Sequence, residues 1–143
     1  MISDTGHWRQ TLIKEGVDEI PFGFIYLITN NTNNKKYIGK KQCLTTKKRA
    51  PLKGKKNKRH SIVETDWKTY TSSSRQLNED IESLGKDNFT FEILMFCDSK
   101  WQLAYEETKI QFEKEVLLRG DYYNGIINCR IGKRKQTAIR PKA

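Results

Sequence analysis

The chain has 143 residues, 36% of them hydrophobic, with six Phe, six Tyr, three Trp and a mean hydropathy of −0.79. That is enough apolar and aromatic surface for one folded domain with polar extensions, and it excludes a disordered chain. The formal net charge of +10 is clustered: Lys35 to Arg59 holds twelve Lys/Arg and no acid, Asn78 to Glu115 ten Asp/Glu against four Lys, and Arg130 to Ala143 six bases and no acid. Such clusters point to a polyanionic partner, since bases that neutralise phosphates release bound counterions. No stretch approaches the ~20 apolar residues of a membrane span, and MISDTGHWRQ has neither a charged-then-apolar leader nor a cleavage site. A soluble, cytoplasmic protein with no membrane partner is expected. Cys43, Cys97 and Cys129 are odd in number and far apart, and only His7 and His60 accompany them. A disulfide framework, a zinc site and a His-based triad are therefore disfavoured.

In chain order, residues 1–21 mix charges without a sustained period and read as an N-terminal extension, with a short helix around Trp8 to Glu15. Phe22 to Thr29 is β-rich, Asn30 to Asn34 is a turn of residues that tolerate unusual backbone angles, and Lys35 to Lys41 returns as a second strand. Residues 42–66, with Pro51, Gly54 and the densest bases, read as a long basic loop with a partial helix around Thr45 to Arg49. Leu77, Ile81 and Leu84 recur at helical spacing, with Ser73 and Gln76 fitting a capping box and Gly85 a C-terminal stop. Asn88 to Phe96 puts Phe89, Phe91, Ile93 and Met95 on one face and Leu94 and Phe96 on the other, which suits a central strand covered on both sides. Ser99 to Leu118 is the longest helix, apolar on two sides and stopped by Gly120. Tyr122 to Ile131 is expected to form a short terminal strand before a flexible basic tail, 132–143.

If the first turn is centred between Asn31 and Thr32, Tyr26 and Tyr37 lie opposite each other and project to one face. A free phenol with a pKa near 10 is only about 0.1% ionised at pH 7, so it serves as a base only where cations lower that value. The lysines around Tyr37 are candidates for this. The order of Phe24-Ile25-Tyr26, an Asn-rich turn, Tyr37-Ile38-Gly39, a basic segment, a helix, a strand, an acidic helix and a late Asn resembles the GIY-YIG nuclease family. Phe24 stands where the family usually has Gly, and the second motif is complete. The resemblance covers about residues 22 to 128 and implies a nuclease domain over 22–131 that includes the basic loop 42–66.

The resemblance implies a small α/β (α+β) domain with a three-stranded, mainly antiparallel sheet flanked by helices, and a metal-dependent DNA endonuclease of phage or mobile-element type. It implies Mg²⁺ (or Mn²⁺) on a single Glu of the long helix followed by an apolar residue three positions later. Glu107 meets this through Ile110 and Glu106 does not. On an ideal helix Glu107 lies about 40° from Leu103, inside the apolar stripe, and Glu106 about 60° away on the other flank. The implied phosphate-binding Arg falls on Arg49, with Lys47 at the commoner offset; the late structural Asn falls on Asn124, with Asn128 the alternative. Tyr26 or Tyr37 would help to deprotonate the attacking water. Lys40, Lys41, Lys47, Lys48, Lys53, Lys55, Lys56, Lys58 and Arg59 would bind double-stranded DNA. Trp67, Tyr70 and Ser72 to Ser74 either position a phosphate at the next helix N-terminus or cap the core. No small-molecule cofactor is implied, an oligomer is open, and the host would be a bacterial cell if the gene is phage-borne. Two other readings stand beside this one, a nucleic-acid-binding module without catalysis and an RNA-binding accessory protein. A helix-turn-helix regulator fits less well, because the bases lie in a loop and not along one helix.

Overall fold

Alternating apolar runs build a sheet with one helix on each face; the computed structural model describes residues 5–10, 20–128 and 130–135, without the side chains of Gln10 and Arg49. The elements are β1 (Arg9–Gln10), β2 (Gly23–Asn30), β3 (Lys36–Gln42), β4 (Leu44–Arg49), β5 (Arg59–Glu64), α1 (Arg75–Leu84), β6 (Phe89–Cys97) and α2 (Lys100–Glu113). Strands β6, β2 and β3 form the expected antiparallel sheet, and β1 adds two residues parallel to β6, giving the order β1-β6-β2-β3. The period of two in β2 divides its side chains between two cores. Phe24, Tyr26 and Ile28 join Phe89, Phe91, Trp67 and Leu77 on the face covered by α1, while Ile25 joins Ile38, Leu103 and Val116 on the face covered by α2. Trp8 is 3% exposed in the first core and donates its indole N–H to the Trp67 carbonyl at 2.6 Å, so residues 5–10 pack with the domain.

Several local expectations need correction. The helix expected around Trp8 to Glu15 begins as strand β1, and residues 11–19 lie outside the described residues. In the hairpin Tyr26 pairs with Gly39 and Tyr37 with Ile28. The turn is wider than a two-residue loop, with Asn34 at φ +60° and its N–H bonded to the Asn30 carbonyl. The register therefore moves by two residues, which makes the tyrosines diagonal neighbours yet leaves them on one face. Residues 42–66 form a second hairpin, β4 with β5, and not a loop with a partial helix. β-branched residues pair across it, Thr45 with Val63 and Thr46 with Ile62, so Pro51 and Gly54 mark only its tip.

Helix α1 is capped by Ser74, whose hydroxyl accepts from Leu77 N–H at 3.3 Å, so the capping-box role expected of Ser73 does not hold. A bulge where β6 meets Ile25 and Tyr26 of β2 resets the alternation of β6: Phe96 continues the face of Ile93, and Met95 is 41% exposed. Helix α2 ends at Glu113, well before Gly120, because Glu115 turns left-handed (φ +53°) and swings Val116 to 1% exposure against the sheet. Its second apolar stripe stays largely open, with Tyr105 and Phe112 exposed, although Trp101 donates to the Gly132 carbonyl at 2.9 Å. Among the described residues of this stretch, Tyr122 makes one parallel bridge to Lys36 in place of the expected terminal strand.

The N-terminal segment is tied down through His7, whose ring stacks on Phe91 at 4.0 Å and places Nε2 2.9 Å from the Tyr70 carbonyl. Burial, and then the charge of Lys86, hold its pKa down at about 4. The folded chain keeps His7 neutral where the unfolded chain takes up a proton, so this stability is complete above pH 6.5 and is lost as the pH falls toward 4. Discounted for the ring's partial exposure, the loss is about 1–2 kcal/mol. Melting curves between pH 7 and pH 4.5 should show a smaller drop for His7→Phe than for the wild type; equal drops would assign the acid sensitivity to other groups.

Candidate active site

The edge strand β3 is where side chains from the two faces of the sheet meet. A cavity of about 290 Å³ opens there, lined by Tyr26, Tyr37, Lys40, Tyr70, Ser73 and Glu107, with Gln111, Ile126 and Asn128 completing it. Tyr26 comes from β2, Tyr37 and Lys40 from β3, and Glu107 and Gln111 from successive turns of α2. Gly39 lets the phenols approach the edge: a Cβ there would stand 2.5 Å from the Tyr26 hydroxyl, 2.7 Å from its Cζ and 2.9 Å from Tyr37 Cε2. Gly39→Ala must therefore push both rings out of the cavity wall, at a cost of about 1–3 kcal/mol. A chemical-denaturation midpoint unchanged from the wild type would contradict this.

Three phenols and a serine gather in the cavity. The Tyr26 and Tyr37 ring centroids are 6.1 Å apart, and those of Tyr26 and Tyr70 6.2 Å. Tyr70 packs against Tyr26, and Ser73 lines the same cavity beside Tyr37 and Tyr70. Ser73 is presented by a strained neighbour, Ser72, which sits at φ +106°. Ser72 is held there by the Ser74 N–H on its hydroxyl and the Asn78 amide on its carbonyl, both at 3.1 Å. Burial raises the pKa of Tyr26 well above the ordinary value and that of Tyr37 above it too, with Glu107 adding to both shifts. The expectation that neighbouring lysines lower the Tyr37 pKa is thus reversed: burial dominates, the Glu107 carboxylate adds to the rise, and Lys40 and Lys41 are engaged with Glu107 and Asp66. At neutral pH the phenols are hydrogen-bond donors.

Glu107 has a side chain only 15% exposed, with Oε1 3.9 Å from Lys40 Nζ. Burial raises its pKa, and the Lys40 charge and the Lys40 N–H offset part of that rise. Glu106 faces a different surface with Ile25, Leu94 and Met95. Asn124 lies one layer behind. Its Oδ1 accepts from Ile38 N–H at 3.0 Å and its Nδ2 donates to the Ile38 carbonyl at 2.8 Å, beside a 2.9 Å bond from Gln111. This side-chain amide takes the place of another strand's backbone at the edge of β3. Asn128 is the one of the two asparagines that lines the cavity.

A family model described as "Putative endonuclease segE, GIY-YIG domain" matches residues 8–127. The chain belongs to the GIY-YIG endonuclease family. No curated protein and no solved structure gives a significant match. Membership makes the chain an endonuclease, a phosphodiester hydrolase acting on nucleic acid. No helix among the described residues is long and apolar enough to cross a membrane.

Of the residues assigned from the GIY-YIG pattern, Tyr26, Tyr37 and Glu107 come together in the cavity and Asn124 braces its floor. Arg49 does not sit on a helix; it ends β4, paired with Arg59, and its side chain is outside the described residues. Lys47 is exposed on the same strand. The cation lining the cavity, among the described residues, is Lys40. Lys41 stands just outside it, 2.7 Å from Asp66 and 4.1 Å from the centre of the Tyr70 ring. Lys48, Lys53, Lys55, Lys56, Lys58 and Arg59 are exposed along the second hairpin and its tip. Tyr70 and Ser73 were not assigned to the site from the sequence. The aromatic and serine cluster was their visible signal, and it divides in two: Trp67 is core at 1% exposure, whereas Tyr70 turns into the cavity.

Proposed function

We propose that this GIY-YIG nuclease is a metal-dependent endonuclease of double-stranded DNA. The observation that carries the reading is one polar cavity at an open sheet edge holding a largely buried carboxylate, a lysine and three phenols, next to a strongly basic hairpin. Among the described residues no three His, Cys, Asp or Glu gather to form a cage. A cage is not required, because Mg²⁺ keeps several waters and is commonly held by one or two carboxylates together with substrate phosphate. Glu107 provides such a carboxylate, and 290 Å³ accommodates a hydrated ion with a phosphate. Bound there, Mg²⁺ or Mn²⁺ would polarise a phosphate oxygen as a Lewis acid.

The chain's own groups divide the remaining work. Lys40, at the cavity wall, balances charge on the phosphate in the role first given to Arg49. Ser73 holds the Tyr37 and Tyr70 hydroxyls together, and Tyr70 orients the attacking water beside Tyr37. Tyr26, fully buried, holds Tyr70 in place, and Asn124 keeps the backbone of β3 at its depth. Tyr37, less buried than Tyr26, takes the proton from water when its phenol ionises.

With the Tyr37 pKa raised, the ionised fraction grows about tenfold per pH unit and does not saturate below pH 10. Nicking of supercoiled plasmid should therefore accelerate steadily from pH 7 to pH 9.5, and Tyr37→Phe should flatten that slope. A Phe variant with the wild-type slope would remove Tyr37 as the base.

A further inference from the structure

We propose that the β4–β5 hairpin is a reading ribbon that enters the major groove of duplex DNA with the face carrying Thr46, Lys48, His60 and Ile62, an inference that rests on the duplex-DNA reading above. Among the described residues β4 and β5 pair with each other in a separate two-stranded sheet. Cross-strand partners set its faces: Thr46 with Ile62 and Lys48 with His60 on one, Thr45 with Val63 and Lys47 with Ser61 on the other. On the second face Ser61 and Val63 are half-covered, whereas on the first Thr46, Lys48, His60 and Ile62 are exposed, with half-buried Leu44 and exposed Glu64 at its foot. Ile62 is 73% exposed in the middle of a cationic ribbon. Phosphate tracking needs lysines and has no use for an isoleucine, but a groove floor offers thymine methyl groups to an apolar side chain and guanine acceptors to a lysine.

The dimensions agree. A two-stranded ribbon fits a B-DNA major groove about 12 Å wide, while the major groove of duplex RNA is too narrow for it. Six residues of strand reach roughly 20 Å, the rise of about six base pairs. The ribbon's feet are fixed beside the cavity: Thr65 N–H donates to the Cys43 carbonyl at 2.8 Å, and Lys41 joins Asp66 while lying over the cavity residue Tyr70. Bases read by the ribbon should thus lie within about half a helical turn of the cut.

The test is to sequence the ends released from a pool of duplexes with randomised flanks by the wild type, Ile62→Ala and Lys48→Ala. Wild-type ends are expected to share a short block within about six base pairs of the cut. Ile62→Ala should lose about tenfold or more of a thymine preference in that block, and Lys48→Ala a guanine preference, with the cut position retained. Variant profiles that superimpose on the wild type, or wild-type ends without any block, would overturn the ribbon's reading role. A wild type that cleaves RNA but no duplex DNA would overturn the duplex reading and the ribbon with it. Because Ile62 is exposed, its alanine variant tests the inference without disturbing the fold.

Discussion

Glu107→Gln is expected to lower metal-dependent cleavage about a thousandfold or more, with no loss of fold stability. The carboxylate is the one anionic ligand that the described residues offer to the cavity, and losing the Lewis acid forfeits several kcal/mol of stabilisation of the reacting phosphate. The amide preserves the shape. It also removes a charge that burial already disfavours, as the raised Glu107 pKa indicates, so the melting temperature should hold or rise slightly. Steady-state nicking beside a thermal melt separates the two effects. A variant cutting within tenfold of the wild type would show that the metal is held elsewhere, and a large drop in melting temperature would recast Glu107 as structural. Glu106→Gln, on the far flank of α2, supplies the comparison.

Asn124→Ala should instead act on the scaffold. It leaves the buried Ile38 N–H without its partner and takes one of two donors from the Ile38 carbonyl, which keeps Gln111. An orphaned buried donor and a lost second bond together cost about 2–4 kcal/mol, or roughly 10 °C in melting temperature for a domain of this size. Asn124 is itself held by Tyr123, whose hydroxyl accepts from Asn30 at 3.0 Å and donates to Asp80 at 2.7 Å. The turn after β2, α1 and the late asparagine thus form one brace behind the cavity. Activity should fall along with stability and recover partly on cooling. Full stability combined with lost activity would place Asn124 at the substrate and not behind it.

The parts of the fold legible in the sequence were those set by strict period. The alternation of Phe24, Tyr26 and Ile28, the presence of a turn at the Asn run and the amphipathic helix ending at Gly85 each express one local rule, and the structure keeps them. The features that escaped were set by contacts distant in sequence. Whether Tyr26 faces Tyr37 or Gly39 depends on how many residues the turn absorbs, and a shift of two leaves the hydrophobic pattern unchanged. The β4–β5 ribbon was hidden because its charge and its Pro and Gly outweighed four β-branched residues that pair only across a hairpin. The end of α2 was decided by Val116 finding the sheet, not by the next glycine.

The candidate site followed the same division. The tyrosines, Glu107 and Asn124 could be aligned with a known order of motifs, and the helical position of Glu107 between apolar neighbours is a local fact. Ser73 reaches the cavity past the strained Ser72, and Tyr70 through the turn that follows the ribbon, and no periodicity announces either. Lys40 was legible as a base but not as the base at the cavity. Its place depends on β3 being an edge strand against which α2 lies.

The central claim, hydrolysis of duplex DNA by a metal held at Glu107, is tested most directly by incubating supercoiled plasmid with the purified chain across a titration of Mg²⁺, with a chelator control. Open-circular or linear product that grows with Mg²⁺ and vanishes on chelation is the predicted result. Equal cleavage with and without free divalent metal, or none at any Mg²⁺ or Mn²⁺ concentration from a protein that binds the plasmid, would contradict it.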